Sequence, residues 1–257
     1  MSSSVHRLAA ELRAGKAIYA HWCGIPSPMV AALLAREEGY GCVVLDLQHS
    51  AMDFTTALQA IPLVAAAGVP CVVRIPVGEF QTASRFLDAG AAGIIAPMIN
   101  SVADARRFVE FTKFPPLGGR SWGPSGAMPL TGLSAADYFR TANDFCLAFA
   151  MIETREALDA VDDILAVEGI DGIFVGPADL SVGLSGGRVL DPLCREVDEA
   201  LDHAAARAKA AGKIAGSYTG SGERAADNVR RGYRFVAIGT DAAFLKAGAA
   251  AMRKAAG

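Results

Sequence analysis

Short apolar runs recur along the chain, each followed by a longer segment with helical spacing. The runs are AIYAHWC (17–23), CVVLDLQ (42–48), PCVVRIP (70–76), GIIAPMI (93–99), CLAFAMIE (146–153), GIFVGP (172–177), KIAGSYT (213–219) and FVAIGTD (235–241). Most are apolar on both alternating faces, the pattern of parallel strands covered by helices on the outside; a half-exposed antiparallel strand alternates instead. Between them, SRFLDAGAAG, ADARRFVEFTK, REALDAVDDILAVEG and REVDEALDHAAARAKAAGK place apolar residues three and four apart, and several close on Gly. Eight strand-helix units in about 250 residues is the rhythm of a (β/α)8 TIM barrel. The expectation is one α/β barrel domain over residues 1–257.

An open doubly wound sheet is the other architecture with this alternation. It calls for a GxGxxG turn after an early strand, and neither HWCGIPSP nor LDLQHSAMD supplies one. The segment 114–134, FPPLGGRSWGPSGAMPLTGLS, breaks the rhythm with Pro and Gly. A loop of that length in a compact domain is usually functional, so it is expected near the active site or in an oligomer contact.

Composition narrows the partners. Hydrophobic residues make up 52% and charged residues 20% of 257, as in a packed globular protein. The net charge of -3 comes from interspersed acids and bases, with no basic stripe for nucleic acid or anionic membrane. The first residues, MSSSVHRLAAELRAGK, lack the apolar core of a signal peptide, and no run reaches the roughly 18 apolar residues of a membrane span. A cytoplasmic protein acting on a small molecule is expected. The five cysteines form no CxxC pair; four lie in apolar runs and read as buried thiols, with Cys23 the one near a strand end that could act as a nucleophile.

In a barrel, chemistry sits at the carboxyl ends of the strands. Those positions hold Trp22, Asp46, Gln48, His49, Arg74, Asn100, Glu153, Asp179, Tyr218, Thr219 and Asp241. None of the six lysines ends a strand, which removes the desolvated amine that a Schiff-base mechanism requires. Glu153 and Asp179 follow neighbouring strands, so their oxygens could converge on Mg2+ or Mn2+. Equally, Glu153 could open a helix and Asp179 cap the next one. Arg74, closing an apolar strand, needs an anion, either a substrate carboxylate or oxyanion or a barrel acid such as Asp46. His49 is placed to act as a general base, whereas His21, beside Trp22, reads as packing.

With those residues identified, the sequence resembles the HpcH/HpaI aldolases, metal-dependent pyruvate aldolases on a (β/α)8 barrel. The likeness runs in order through LDLQHS, VVRIP, FLDAGAAGIIAPMI, MIETREAL, EGIDGIFVGPADLS and FVAIGTD. The resemblance implies Glu153 and Asp179 as ligands of a divalent metal (Mg2+ or Mn2+, with Co2+ as a further candidate). It implies Gly176, Pro177, Ala178 and Trp22 around a bound 2-oxo acid, His49 as the base acting through a water, Arg74 as the oxyanion stabiliser, and Asp88 as an aspartate that raises the basicity of the histidine. It also implies an aldehyde as the second substrate and a homo-oligomer, plausibly a hexamer that exchanges C-terminal helices. Two positions depart from the commoner pattern: Gln48 replaces a Glu beside His49, and Met151 replaces a Gln two residues before Glu153. The first bears on the pH profile, the second on the choice between pyruvate and hydroxypyruvate. The RSWGP stretch with Arg120 and Trp122 also differs from the usual form. An acyl-CoA lyase of the citrate lyase β type and a non-catalytic barrel that binds an oxo acid are the competing readings.

Overall fold

All eight apolar runs form strands, and the strands close on themselves. The structure is a computed structural model that describes residues 3–257; the first two residues, part of the N-terminal segment and of the expected domain, lie outside the described residues. The strands are β1 (Ile18–Cys23), β2 (Cys42–Asp46), β3 (Cys71–Arg74), β4 (Gly93–Ala96), β5 (Leu147–Ile152), β6 (Gly172–Val175), β7 (Ile214–Thr219) and β8 (Phe235–Ile238). Every neighbouring pair is parallel, in the order β1 to β8 with β8 returning to β1. This is the expected (β/α)8 barrel, with strands one to three residues shorter than the apolar runs because several runs end in turns.

The helices that cover it are α1 (Ser4–Arg13), α2 (Pro28–Leu34), α3 (Phe54–Ala66), α4 (Phe80–Ala89), α5 (Val102–Thr112), α6 (Ala127–Thr131) and α7 (Ala135–Phe145). They continue with α8 (Arg155–Asp159), α9 (Val161–Leu165), α10 (Pro177–Leu184), α11 (Arg195–Ala210), α12 (Gly222–Arg231) and α13 (Asp241–Ala255). Their starts follow local sequence: the side chains of Ser27, Asp53, Ser101, Ser134, Thr154, Ser221 and Thr240 each accept from a backbone N–H in the first turn. The stretch expected as one helix from Arg155 is cut at Ala160, where ψ is 7°, and Val161, Ile164 and Leu165 remain buried beyond the break. Within α13 only Asp241 is buried, so most of that helix is uncovered in the single chain.

Aromatic rings fill the barrel interior. Phe149 and Phe174 both pack on Phe235, at centroid distances of 5.2 and 5.8 Å. Gly216 on the adjoining strand makes room for them, since a Cβ there would lie 2.7 Å from Phe174 Cδ2.

Alternation along β1 sends Trp22 inward and His21 outward. His21 is 2% exposed, stacked on Tyr40 at 3.6 Å and met edge-on by Phe244 of α13, and neither ring nitrogen has a partner. Packing is thus its role, as expected. Burial holds its pKa down at about 4, from 6.5. Between those values the unfolded chain binds a proton that the folded chain refuses, so stability falls as pH drops from 6.5 to 4. The loss reaches up to about 3 kcal/mol. His21→Phe is expected to flatten this limb in urea titrations run at pH 4.5 and 7; an unchanged limb would assign the acid sensitivity elsewhere.

The segment 114–134 is more ordered than a loop. It contains α6, and Arg120 turns inward to give Asp88 a hydrogen bond of 2.6 Å while its Cζ lies 4.5 Å above the Phe114 ring. The segment leaves α5 at the amino-terminal end of the barrel strands.

Candidate active site

At the carboxyl ends of the strands a cavity of about 580 Å³ opens, and its wall unites most of the expected residues: Trp22, Asp46, His49, Arg74, Met151, Gly176, Pro177, Ala178 and Asp179. Tyr218 and Asp241 also line it, with residues of the β1–α2 turn. Asp241 is buried and fastens that turn, accepting from Gly24 N–H at 2.9 Å and Ile25 N–H at 2.8 Å.

Register explains the centre. Asp46 and Arg74 are paired positions on β2 and β3, and their side chains form a two-pronged ion pair: Arg74 Nε donates to Oδ1 at 2.8 Å and Nη2 to Oδ2 at 2.7 Å. Trp22 Nε1–H also donates to Oδ2, at 3.2 Å, and Arg74 Cζ lies 4.8 Å from the Trp22 ring centroid. Burial alone would raise the Asp46 pKa; the Arg74 hydrogen bonds and charge outweigh it and hold this carboxyl below its ordinary value. The alternative reading of Arg74 as the partner of a barrel acid is therefore realised. It does not exhaust the guanidinium, because Nη1 meets only Met151 Sδ, at 4.0 Å. Met151 stands where an amide is commoner and presents a weak sulfur acceptor to that nitrogen.

Glu153 follows β5, just before the Thr154 cap of α8, and Asp179 lies in the first turn of α10, whose start at Gly176 has no side-chain cap, so the capping reading of Asp179 is not met. Glu153 is 1% exposed. Its Oε1 accepts from Met98 N–H at 2.8 Å, and its Oε2 is buried with no partner. Burial first, and then the Asp179 charge, push its pKa up, against the Met98 hydrogen bond and the charge of Arg74. Gly176 keeps the approach to Oε2 clear, since a Cβ there would lie 3.0 Å from it and 2.6 Å from Met151 Cε. No group of three or more His, Cys, Asp or Glu side chains gathers for a metal among the described residues. Two carboxylates with one orphan oxygen nevertheless fit a hard divalent cation whose other ligands come from substrate and water.

Met98 carries no signal in the sequence. It is the one non-glycine residue with positive φ among the described residues, at 56°, and that backbone turns its N–H onto Glu153. Left-handed backbone costs a non-glycine residue about 1–2 kcal/mol. Met98→Gly removes that cost, loosens the unfolded chain by about 0.5–1 kcal/mol, and keeps the N–H. A net stability gain of up to about 1 kcal/mol with unchanged Mn2+ affinity is expected. Denaturant unfolding and calorimetric Mn2+ titration check it, and a loss of affinity would mean that the methionine side chain matters.

Four expected residues do not line the cavity: Glu153, whose Oε2 lies beside Gly176 of the wall, and Asp88, Trp122 and Gln48. Within one chain Asp88 does not line the cavity; it lies in a groove between α3 and α4 and pairs with Arg120, so its expected action on His49 is not met there. Trp122 is 47% exposed and packs against Phe114, Tyr138 and Phe139. None of residues 114–134 lines the cavity, so within the chain that segment does not cover the mouth. Gln48 gives its N–H to Asp46 Oδ1 at 3.0 Å, and its Oε1 is buried without a partner. His49 is exposed at the rim and shares Asp46 Oδ1 through its own N–H, at 3.4 Å. Cys23 is buried beside Asp241, and burial pushes its thiol far up, which removes it as a nucleophile.

No described helix is long and apolar enough to cross a membrane. A hydroxypyruvate/pyruvate aldolase of Rhizorhabdus wittichii is 39% identical over 235 residues, 91% of this chain and 92% of that protein. A 4-hydroxy-2-oxo-heptane-1,7-dioate aldolase of Klebsiella pneumoniae is 34% identical, over 94% and 90% of the two chains. Among solved structures, an HpcH/HpaI aldolase from Desulfitobacterium hafniense superposes with a TM-score of 0.88 at 29% identity, covering 96% of this chain and 95% of that one. The HpcH/HpaI aldolase/citrate lyase family model matches residues 22–247, and the chain belongs to that family.

Proposed function

We propose that this protein is a divalent-metal-dependent aldolase that reversibly cleaves 4-hydroxy-2-oxo acids to pyruvate, or hydroxypyruvate, and an aldehyde. The observation that carries this reading is the buried, unpartnered Oε2 of Glu153, which feels the Asp179 charge and lies beside Gly176, a residue in the wall of a cavity that Asp179, Arg74 and His49 also line.

Glu153 and Asp179 would hold Mg2+, Mn2+ or Co2+, which supplies Lewis acidity to the oxo acid. The chain's own groups account for the rest. Gly176 and Pro177 open α10, and the N–H groups of Ala178 and Asp179, in its first turn and without intrahelical partners, receive the substrate carboxylate. Arg74, held in orientation by Asp46, directs its free Nη1 at the negative charge that develops on the keto oxygen. His49 takes the proton of the 4-hydroxyl, the C3–C4 electron pair passes to the enolate, and the aldehyde departs; protonation at C3 yields the oxo acid. Trp22 and Tyr218, in edge contact at 5.5 Å, wall the site against water.

An acyl-CoA substrate fits less well. Arg74 is the only Lys or Arg in the cavity wall and is already paired with Asp46, leaving little to receive CoA phosphates. A homo-oligomer that covers the exposed α13 belongs to the same reading and is checked by light scattering.

The test is cleavage of a 4-hydroxy-2-oxo acid after chelation and after readdition of Mn2+ or Mg2+. Activity should vanish and return. Full activity in excess chelator overturns the proposal, as does a borohydride-trapped adduct with pyruvate, since no lysine lines the cavity.

A further inference from the structure

The opposite end of the barrel carries a second cavity, of about 870 Å³. It lies where α1, α11 and α12 end and where β1, β7 and β8 begin. Its wall contains Arg13, Lys209, Lys213, Arg230, Arg231 and Arg234 against a single carboxylate, Asp171. The whole chain has a net charge of -3, so this excess of positive charge is local.

Cations collect at helix carboxyl ends because unpaired carbonyls attract them. That accounts for part of the cluster: Arg234 Nη1 donates to the carbonyls of Tyr233 at 2.8 Å and Val229 at 3.1 Å, and Lys213 Nζ to that of Ile170 at 2.6 Å. Such bonds satisfy donors without neutralising a full charge. Carboxylates neutralise the other arginines: Asp171 pairs with Arg13, Asp227 with Arg230, and Asp198 and Asp202 with Arg231. Asp171 is already shared between two cations, since Oδ1 takes Arg13 at 2.7 Å while Oδ2 takes Lys113 Nζ at 2.6 Å and Ala148 N–H at 2.9 Å. Lys209, Lys213 and Arg234 therefore line one concavity without a carboxylate partner among the described residues, and Arg234 retains Nε and Nη2 as free donors.

We propose that this basal cavity binds a small phosphorylated anion. A phosphate group brings a charge near -2 and several strong acceptors, which suit two ammonium groups and a guanidinium fork. The cavity is much larger than one phosphate, which leaves room for an organic body.

Calorimetry at fixed ionic strength, with glycerol 3-phosphate, pyrophosphate and inorganic phosphate as probes and metal-free protein, tests this. Saturable one-site binding with a dissociation constant below about 1 mM is expected for at least one probe. Lys209→Glu and Arg234→Gln should each weaken it about tenfold or more, the loss of a charge-assisted contact. Both should leave aldol cleavage unchanged, which also reports that they fold. A preference for glycerol 3-phosphate assigns the cavity to a phosphomonoester, and equal affinity for inorganic phosphate assigns it to the bare phosphate group. The proposal is overturned if no probe saturates, if binding ignores both basal substitutions, or if Arg74→Gln abolishes it, which would place the anion in the catalytic mouth.

Discussion

Glu153→Gln is expected to remove divalent-cation binding and lower kcat/KM for aldol cleavage by about a thousandfold or more, since several kcal/mol of charge stabilisation disappear. The carboxylate is buried, one oxygen is held by Met98 N–H, and the other has no partner. Glutamine has the same shape and keeps an acceptor for Met98 while discarding the charge. Without metal, the variant should be at least as stable as the parent, because an ionised carboxylate with an unpaired oxygen is costly to bury. That combination separates loss of a ligand from misfolding. Asp179→Asn should lose cation affinity too, without the stability gain, since Asp179 is exposed. Calorimetric Mn2+ titration and thermal unfolding of the metal-free proteins are the measurements. Parental Mn2+ affinity in Glu153→Gln would remove this residue from the site.

Arg74→Met is expected to act on both stability and turnover. It strands the Asp46 carboxylate, buried with only Trp22 Nε1–H and the N–H groups of Gln48 and His49 to serve it. Breaking a buried pair on one side costs about 3–5 kcal/mol, roughly a 10 °C fall in Tm for a chain of this size. Turnover should drop by about 100- to 1000-fold through loss of the oxyanion donor, while cation affinity is retained. Adding Asp46→Asn should recover much of the stability and none of the turnover, which distinguishes the structural work of the pair from its chemistry. The pair also has a pH signature. The Asp46 pKa is depressed in the folded chain, so its stabilisation is present above the unfolded value near 4 and is lost as pH falls through the folded value. Parental turnover in Arg74→Met would discard the oxyanion role.

Much of this was legible in the sequence for a local reason. Eight apolar runs, most of them apolar on both faces, separated by segments of helical spacing specify strands and helices through backbone periodicity. The end of each run then marks a strand end, which is how Trp22, His49, Arg74, Glu153 and Asp179 could be named. The break at Ala160 interrupts a stretch whose apolar spacing runs straight through it, and the helix inside 114–134 lies where Pro and Gly obscure the local pattern; in both, packing decides.

What the sequence by itself determined is the barrel, its order of elements and the inventory of groups at its mouth, because strand and helix periods are properties of neighbouring residues. Tertiary structure alone decided how those groups are shared out. The β2–β3 register sets Asp46 against Arg74, and a left-handed turn at Met98 claims one oxygen of Glu153 and leaves the other free. Asp88 goes to Arg120, away from His49. Each of these depends on residues tens of positions apart meeting in a low-dielectric interior, where an unpaired charge is too costly to leave and the partner is chosen by geometry.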